Sequence, residues 1–327
     1  MNKICIVAII KNEEAMLEKM LKSCKDLPVF VIDTGSNDGS YDLYIKYNIT
    51  WKKYSRWDDC QGTAEDFSFA EARNEAFELA RDYEWRVILD ADEYLEGNFV
   101  KDLKALVKND WMSHYNIIGV RVETDSEVLE SPRVLRNIPE IFYEDAVHNR
   151  IAYTEQNKDK AYMSGLRLRS GFSPNHKTDP DRTIRLLKKG INDKPDNARY
   201  YYYLAREYMI RYGNLKNSLK EENKDRVMAQ MFPLLFTMVG LLEHHVYLTL
   251  GTNEKADSYV LLGIFYMEMN NHHQARRCAW AAIEIIPTLE EAWQIIRKLG
   301  VPKFYEFYDK VISIADNDGA LTVRKNG

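Results

Sequence analysis

Apolar residues along the first 150 positions come in short, nearly continuous blocks. "KICIVAII" (3–10), "VFVID" (29–33) and "WRVILDAD" (85–92) are apolar through their middles, which predicts strands buried on both faces. Between them the period changes to that of a helix. Residues 12–25 carry Met16, Leu17, Met20 and Leu21 on one face, residues 40–47 suit a short helix, and "FSFAEARNEAFELARD" (67–82) sets Ala and Leu at helical spacing. Strands alternating with helices predict an α/β fold with a mostly parallel, Rossmann-like sheet, in which ligands collect beyond the carboxyl ends of the strands. Asp33 and Asp90 stand at two of those ends.

From about residue 180 the strand pattern disappears. Residues 181–214 read as two helices broken at "DKPDN", and residues 258–293 as a helical hairpin with small residues (Gly263, Ala275, Ala282) where the helices would touch. A helix pair of this length ending at Pro287 resembles one tetratricopeptide repeat. The stretch 214–255 carries no legible unit. The expected division is a nucleotide-handling α/β domain over 1–178 and an all-α, tetratricopeptide-like domain over 179–327.

Composition narrows the class. With 327 residues, 45% of them hydrophobic, the chain can build two cores. The net charge of −5 argues against a general polyanion binder. Cys5, Cys24, Cys60 and Cys278 are scattered, without a C-x-x-C pair, so reduced thiols and a cytoplasmic setting are expected. The apolar run 4–10 is far short of the ~20 residues that cross a bilayer. Residues 231–242, interrupted by Pro233, are expected to form a buried helix and not a membrane span.

The chemistry gathers at the strand ends. In "LDADE" (89–93) an extended chain would turn Asp90 and Asp92 to the same side, and two adjacent carboxylates suit a hard divalent ion, Mg²⁺ or Mn²⁺. An isolated D-x-D is also a common exposed turn. "VIDTGSNDGS" (31–40) lacks the G-x-G-x-x-G of dinucleotide folds and the G-K-[ST] of a phosphate loop. It also fails as an EF-hand, because Gly39 is displaced and Tyr44 stands where a bidentate Glu belongs. What remains is a carboxylate, Asp33, able to accept from a base N–H or a ribose hydroxyl, with Gly35 letting a ligand approach the backbone. Arg73, on the helix between two strands, has the fork geometry for a nucleobase carbonyl or a diphosphate.

"IIKNEE" (9–14), "VIDTGSNDGS" (31–40), "DFSFAEARNEA" (66–76) and "WRVILDADEYL" (85–95) follow one another in an order that resembles the GT-A glycosyltransferases of family 2, in the branch with tetratricopeptide-like helices after the catalytic domain. The resemblance implies an inverting, metal-dependent transferase. Asp33 would touch the uracil or ribose of a UDP-sugar, with Lys11, Glu13 and Gly35 beside it and Arg73 bracing the base or diphosphate. Asp90 and Asp92 would hold Mn²⁺ or Mg²⁺ on the pyrophosphate, with Asp90 also facing the donor. "FYEDAVHNRI" (142–151) would supply the base that deprotonates the acceptor, Asp145 first and Glu144 second. His148 and His176 are candidates to complete the metal shell. The branch often carries His-Glu where this chain has His148 and Asn149, a departure at the site where an acidic role is expected.

The acceptor is less defined. Helical repeats form concave surfaces that grip extended partners, which favours a peptide or protein, or another polymer. Arg167, Arg169, Lys177, Arg182, Arg185, Lys188 and Lys189 stand against only Asp179 and Asp181, so a basic patch could instead meet DNA or an anionic cell-surface polymer. A solvated helix face is the ordinary meaning of such a run. The helical domain is also an expected surface for homo-oligomers. Two other classes compete: a nucleotidyltransferase, disfavoured because "IIKNEEAM" has no glycine-rich phosphate loop, and a non-catalytic repeat-based binding module, disfavoured by the intact Asp33, Arg73, Asp90 and Asp92.

Overall fold

The structure is a computed structural model that describes residues 3–56, 67–125, 127–152, 160–171 and 181–300. The chain divides into two compact units, Met1–Leu186 and Leu187–Gly327.

The first unit is built on β1 (Ile4–Ile10), α1 (Glu14–Ser23), β2 (Val29–Asp33), α2 (Ser40–Lys46), β3 (Thr50–Lys53), α3 (Phe69–Leu79), β4 (Trp85–Ile88), β5 (Glu93–Leu95), α4 (Phe99–Leu106), β6 (Ile117–Glu123), β7 (Val128–Arg136) and β10 (Ala161–Ser170). A short ribbon of β8 (Tyr143–Glu144) and β9 (Arg150–Ile151) stands apart from the main sheet. The eight-stranded sheet runs β3-β2-β1-β4-β7-β6-β10-β5. Its first four strands are parallel, with β1 between β2 and β4. In the other half, β7 is antiparallel to both β4 and β6, β10 is parallel to β6, and β5 is antiparallel to β10.

The pleat explains the apolar blocks. Ile4, Ile6, Ala8 and Ile10 of β1 enter one core with Leu17 and Met20 of α1 and Phe99 and Leu103 of α4. Cys5 and Val7 enter a second core with Ala72, Ala76 and Phe77 of α3. Successive side chains alternate between faces, so a strand covered on both sides must be apolar throughout.

β4 stops at Ile88, and Asp90 to Glu93 form a turn closed by the Glu93 N–H donating to the Asp90 carbonyl at 3.0 Å. The extended-chain placement expected for Asp90 and Asp92 does not hold here. Glu93 overrides it, because its own carboxylate also accepts from the Asp90 N–H at 3.0 Å.

Helix α5 (Arg182–Asp193) crosses the boundary between units. The second unit continues with α6 (Ala198–Asn217), α7 (Lys224–Leu248), α8 (Thr252–Glu268), α9 (His272–Ile285) and α10 (Glu290–Lys298). Each of α6 to α9 packs on the next in sequence. The break between α5 and α6 carries Pro195, and Asn197 caps α6 by accepting from the Arg199 N–H at 3.1 Å. A Cβ on Gly263 would stand 2.8 Å from Ile295 Cδ1 and 3.4 Å from the Ala275 carbonyl, so α8 meets its neighbours closely at the predicted small residue.

Helix α7 departs from the expected buried helix. Met231, Leu235, Met238 and Leu242 are buried, but Phe232 is 51% and Phe236 60% exposed on the opposite side. Pro233 is accommodated inside the helix. By length and composition the run Glu221–Leu248 is apolar enough to cross a membrane, and 33% of its most apolar window is buried. Core helices of globular units share that composition, so one such helix does not establish a span.

Candidate active site

The loops after β1 and β2 are zipped together. Parallel pairing of Ile10 with Asp33 brings both strand ends to one edge, and the Thr34 N–H donates to the Ile10 carbonyl at 2.8 Å. Side chains do the rest. The Asn12 N–H donates to Ser36 Oγ at 3.0 Å, the Asn37 N–H to Asn12 Oδ1 at 2.7 Å, and the Glu13 N–H to Ser40 Oγ at 3.1 Å. Asn12 and Gly35 both take positive φ, 56° and 106°.

Asp33 organises this loop. It is fully buried. Its Oδ1 accepts from the N–H groups of Gly35 (2.9 Å) and Ser36 (2.8 Å) and from Tyr41 Oη (3.0 Å), and Oδ2 accepts from Tyr44 Oη at 2.8 Å. Burial first, and then the Asp33 carboxylate, push the Tyr41 hydroxyl up to about 12 and the Tyr44 hydroxyl further. Gly39 is small because the Glu14 carboxylate passes where a Cβ would be and accepts from its N–H at 3.1 Å.

Two strands away along the same edge lies a charged cluster. Arg73 of α3 donates from Nη2 to Asp90 Oδ1 at 2.7 Å. Arg133 of β7 reaches Asp90 Oδ2 at 3.6 Å and Glu93 Oε1 at 2.5 Å. Burial alone would raise the Asp90 carboxyl, but the guanidinium groups of Arg73 and then Arg133 outweigh it and hold it down to about 2. Glu93, only 3% exposed, is pushed up by burial and then by the Asp90 charge. The net effect is an ionised Asp90 between two cations. Arg133 and Glu93 were not among the sequence-predicted residues.

The ribbon carrying the predicted base docks on the same helix as Arg73. Asp145 is 7% exposed with φ 71°, and His148 has φ 48°, both in the left-handed region that non-glycine residues seldom occupy. Such strain persists where the surroundings over-determine the backbone, and it concentrates at functional sites. Arg150 of β9 lies 3.4 Å from Glu144 and 3.6 Å from Asp145.

The predicted metal set is not gathered among the described residues. Among the described residues no three His, Cys, Asp or Glu side chains gather into a group that could hold an ion, so His148 does not join Asp90 and Asp92. His176 lies outside the described residues. The predicted basic run is also divided. Arg167 and Arg169 are on β10 and pair with Glu123 (3.7 Å) and Asp125 (2.8 Å), Lys189 pairs with Asp193, and Arg182 stacks over the rings of Phe67 and Phe69. Lys177 lies outside the described residues.

A mixed sheet with helices on both faces, carrying charged loops at the carboxyl edge of its parallel half, defines an α/β enzyme unit of GT-A type. Residues 5–170, about half of the chain, match the sequence profile of "Glycosyl transferase family 2", and the protein belongs to that family of glycosyltransferases. No curated protein matches the chain. Among solved structures it is similar to S. aureus TarS, with 13% identity, a TM-score of 0.46, and coverage of 89% of this chain and 55% of that one. This chain therefore spans about half the length of TarS. It is also similar to glucosyl-3-phosphoglycerate synthase from Mycobacterium tuberculosis, crystallised with Mn²⁺, UDP and glucosyl-3-phosphoglycerate: 15% identity, TM-score 0.39, 57% of this chain and 80% of that one. A third, described as a mycobacterial protein, shows 13% identity and a TM-score of 0.42, over 57% of this chain and 74% of that one.

Proposed function

We propose that the protein is an inverting, metal-dependent glycosyltransferase that moves a sugar from a UDP-linked donor to a peptide, protein or other polymer. The observation that carries the reading is the bracket of Arg73 and Arg133 around Asp90, next to Asp92 at the carboxyl edge of the sheet. Two fixed guanidinium groups match the charge of a nucleoside diphosphate, and as a leaving group that diphosphate gains negative charge in the transition state.

The oxygen donors here fit Mn²⁺ or Mg²⁺ in one manner. Asp90 is engaged by two arginines, and the described residues contain no preformed cage. Such ions are commonly held by one or two carboxylates and completed by substrate phosphates. Asp92 would be the principal protein ligand, with His176 a candidate for the shell. A bound ion supplies Lewis-acid stabilisation of the diphosphate. The chain's own groups do the remaining work. Arg73 and Arg133 orient the diphosphate, the zipped loops of Lys11–Glu13 and Asp33–Ser40 shape the nucleoside site, and Asp145 takes the acceptor proton, with Glu144 as the alternative base. Asp33 acts by shaping its loop, since both its oxygens already accept from it.

The helical unit would capture the acceptor and serve for self-association, with Phe232, Phe236 and Tyr247 exposed along α7. A DNA acceptor draws less support, because the net charge of −5 gives no overall attraction for a polyanion. Calorimetry with UDP, with and without Mn²⁺, tests the donor assignment: Mn²⁺-dependent binding is expected, and absence of UDP binding in both conditions refutes it. A screen of nucleotide sugars for slow hydrolysis then identifies the sugar.

A further inference from the structure

The motif "ARNEA" contributes more than Arg73. Asn74, the next residue on α3, donates from Nδ2 to the Tyr143 carbonyl at 2.9 Å and accepts on Oδ1 from the Tyr143 N–H at 2.7 Å. Both backbone groups of one strand residue are thus paired with one carboxamide. On the other edge of β8 lies β9, with Tyr143 opposite Ile151. The Asn74 side chain therefore stands where a third strand would pair.

Further contacts fasten the same segment to the same helix. The Phe69 N–H, in the first turn of α3, donates to the Ala146 carbonyl at 2.9 Å. The Tyr143 ring packs on Phe77 at 5.5 Å and under the Arg73 guanidinium at 5.3 Å. Glu144 and the strained Asp145 lie between these two anchor points, Tyr143 and Ala146. One helix therefore holds Asp90 through Arg73 and the Asp145 turn through Asn74.

We propose that Asn74 is a positioning residue: its carboxamide registers the Asp145 turn against the Arg73–Asp90 pair, setting the acceptor base relative to the donor diphosphate. This rests on the assignment of Asp145 as the base. A positioning role predicts loss of turnover without loss of donor affinity, because misplacement of a reacting group affects the transition state more than the ground state.

The test uses full-length Asn74→Ala and Asn74→Asp. The Asp variant fills the same space and still accepts from the Tyr143 N–H, but it sets a carboxylate oxygen against the Tyr143 carbonyl. Amide hydrogen exchange at Tyr143 should speed up about tenfold or more in Asn74→Ala and by less in Asn74→Asp, which keeps the acceptor, while β1 and β2 exchange as in the wild type. UDP affinity in the presence of Mn²⁺ should stay within about twofold, and hydrolysis of UDP-glucose should lose about tenfold in kcat at unchanged KM. Unchanged exchange at Tyr143 in Asn74→Ala overturns the proposal. So does faster exchange at Tyr143 in Asn74→Ala with kcat at the wild-type value, which would make the clamp merely structural, and so does a parallel loss of UDP affinity. Asp145→Asn, run alongside, separates the two readings. If it turns over at the wild-type rate the base assignment fails, and exchange at Tyr143, which needs no turnover, still decides the clamp.

Discussion

Arg73 Nη2 lies 2.7 Å from Asp90 Oδ1, and this contact joins helix α3 to the turn that follows strand β4. Arg73 is 13% exposed and Asp90 38%, so the pair sits at the lip of the site and not in its core. Arg133 approaches the other oxygen from β7. The carboxylate thus fixes two cations that would otherwise repel each other.

Asp90→Asn should therefore be more damaging than an ordinary surface change. It leaves two guanidinium groups facing a neutral amide. The expected cost is about 1–2 kcal/mol of stability, reduced from the value for a fully buried pair by the exposure of Asp90. UDP affinity should fall as the arginines lose their alignment. Chemical denaturation and UDP titration of the same protein check both expectations.

Arg133→Gln separates charge from scaffold. It removes one cation facing the diphosphate and leaves the nearly buried Glu93 without its ion-pair partner. Turnover of a UDP-sugar should drop about a hundredfold or more, the scale seen when a preorganised donor to a transition-state anion is lost. A kcat near the wild-type value would place Arg133 outside the chemistry.

Asp92 behaves differently in this scheme. Its carbonyl accepts from the Gly171 N–H at 2.7 Å, an interaction that Asp92→Asn keeps. Stability should change by less than ~0.5 kcal/mol. Mn²⁺-dependent enhancement of UDP binding should disappear, read by calorimetry with and without chelator. Full metal-dependent binding in the variant would remove Asp92 as a ligand.

At Asp33 the strongest effects should be on the loop. Tyr44→Phe deletes one bond to Oδ2 and should cost about 1–2 kcal/mol, because a buried carboxylate oxygen loses its hydroxyl donor. Asp33→Ala deletes all four bonds, and the KM for the UDP-sugar donor should rise at least tenfold with a smaller change in kcat. Unchanged UDP affinity in Asp33→Ala would leave this loop an ordinary turn.

How much of this was legible depended on where each strand's two faces point. β1, β2 and β4 lie between helices, so both faces are apolar and each strand reads as a block. β3 is an edge strand exposed at every position, and it left no pattern. β10 did leave one: Leu166 and Leu168 are buried and alternate with Arg167 and Arg169, a period of two masked by the surrounding basic run. β7 was hidden by Pro132, which lies beside a register shift opposite Gly119, where a strand tolerates proline. Arg133 was hidden for the same reason, and its partner Glu93 is 40 positions away. Asp33 is legible as a carboxylate at a strand end, but the loop it holds is not, since its four donors within eleven residues come together only once the loop is folded.

The last expectation concerns the helical unit and pH. His245 of α7 is fully buried, with Nδ1 2.8 Å from Ser258 Oγ of α8. Burial, and then the charges of Arg199 and Lys255, lower its pKa from 6.5 to about 4. The folded state therefore resists protonation. Its contribution to stability is complete above the unfolded pKa near 6.5 and is lost as pH falls through 4, amounting to about 3 kcal/mol. His245→Asn sets an amide near the position of Nδ1 and removes the titration, at the cost of some packing. Wild type should be the more stable protein at pH 7.5, and the gap should narrow or reverse by pH 4.5. Hydrogen exchange of the α7 and α8 amides at the two pH values, corrected for intrinsic rates, measures it. A gap that is constant with pH would mean that His245 titrates as it does in the unfolded chain.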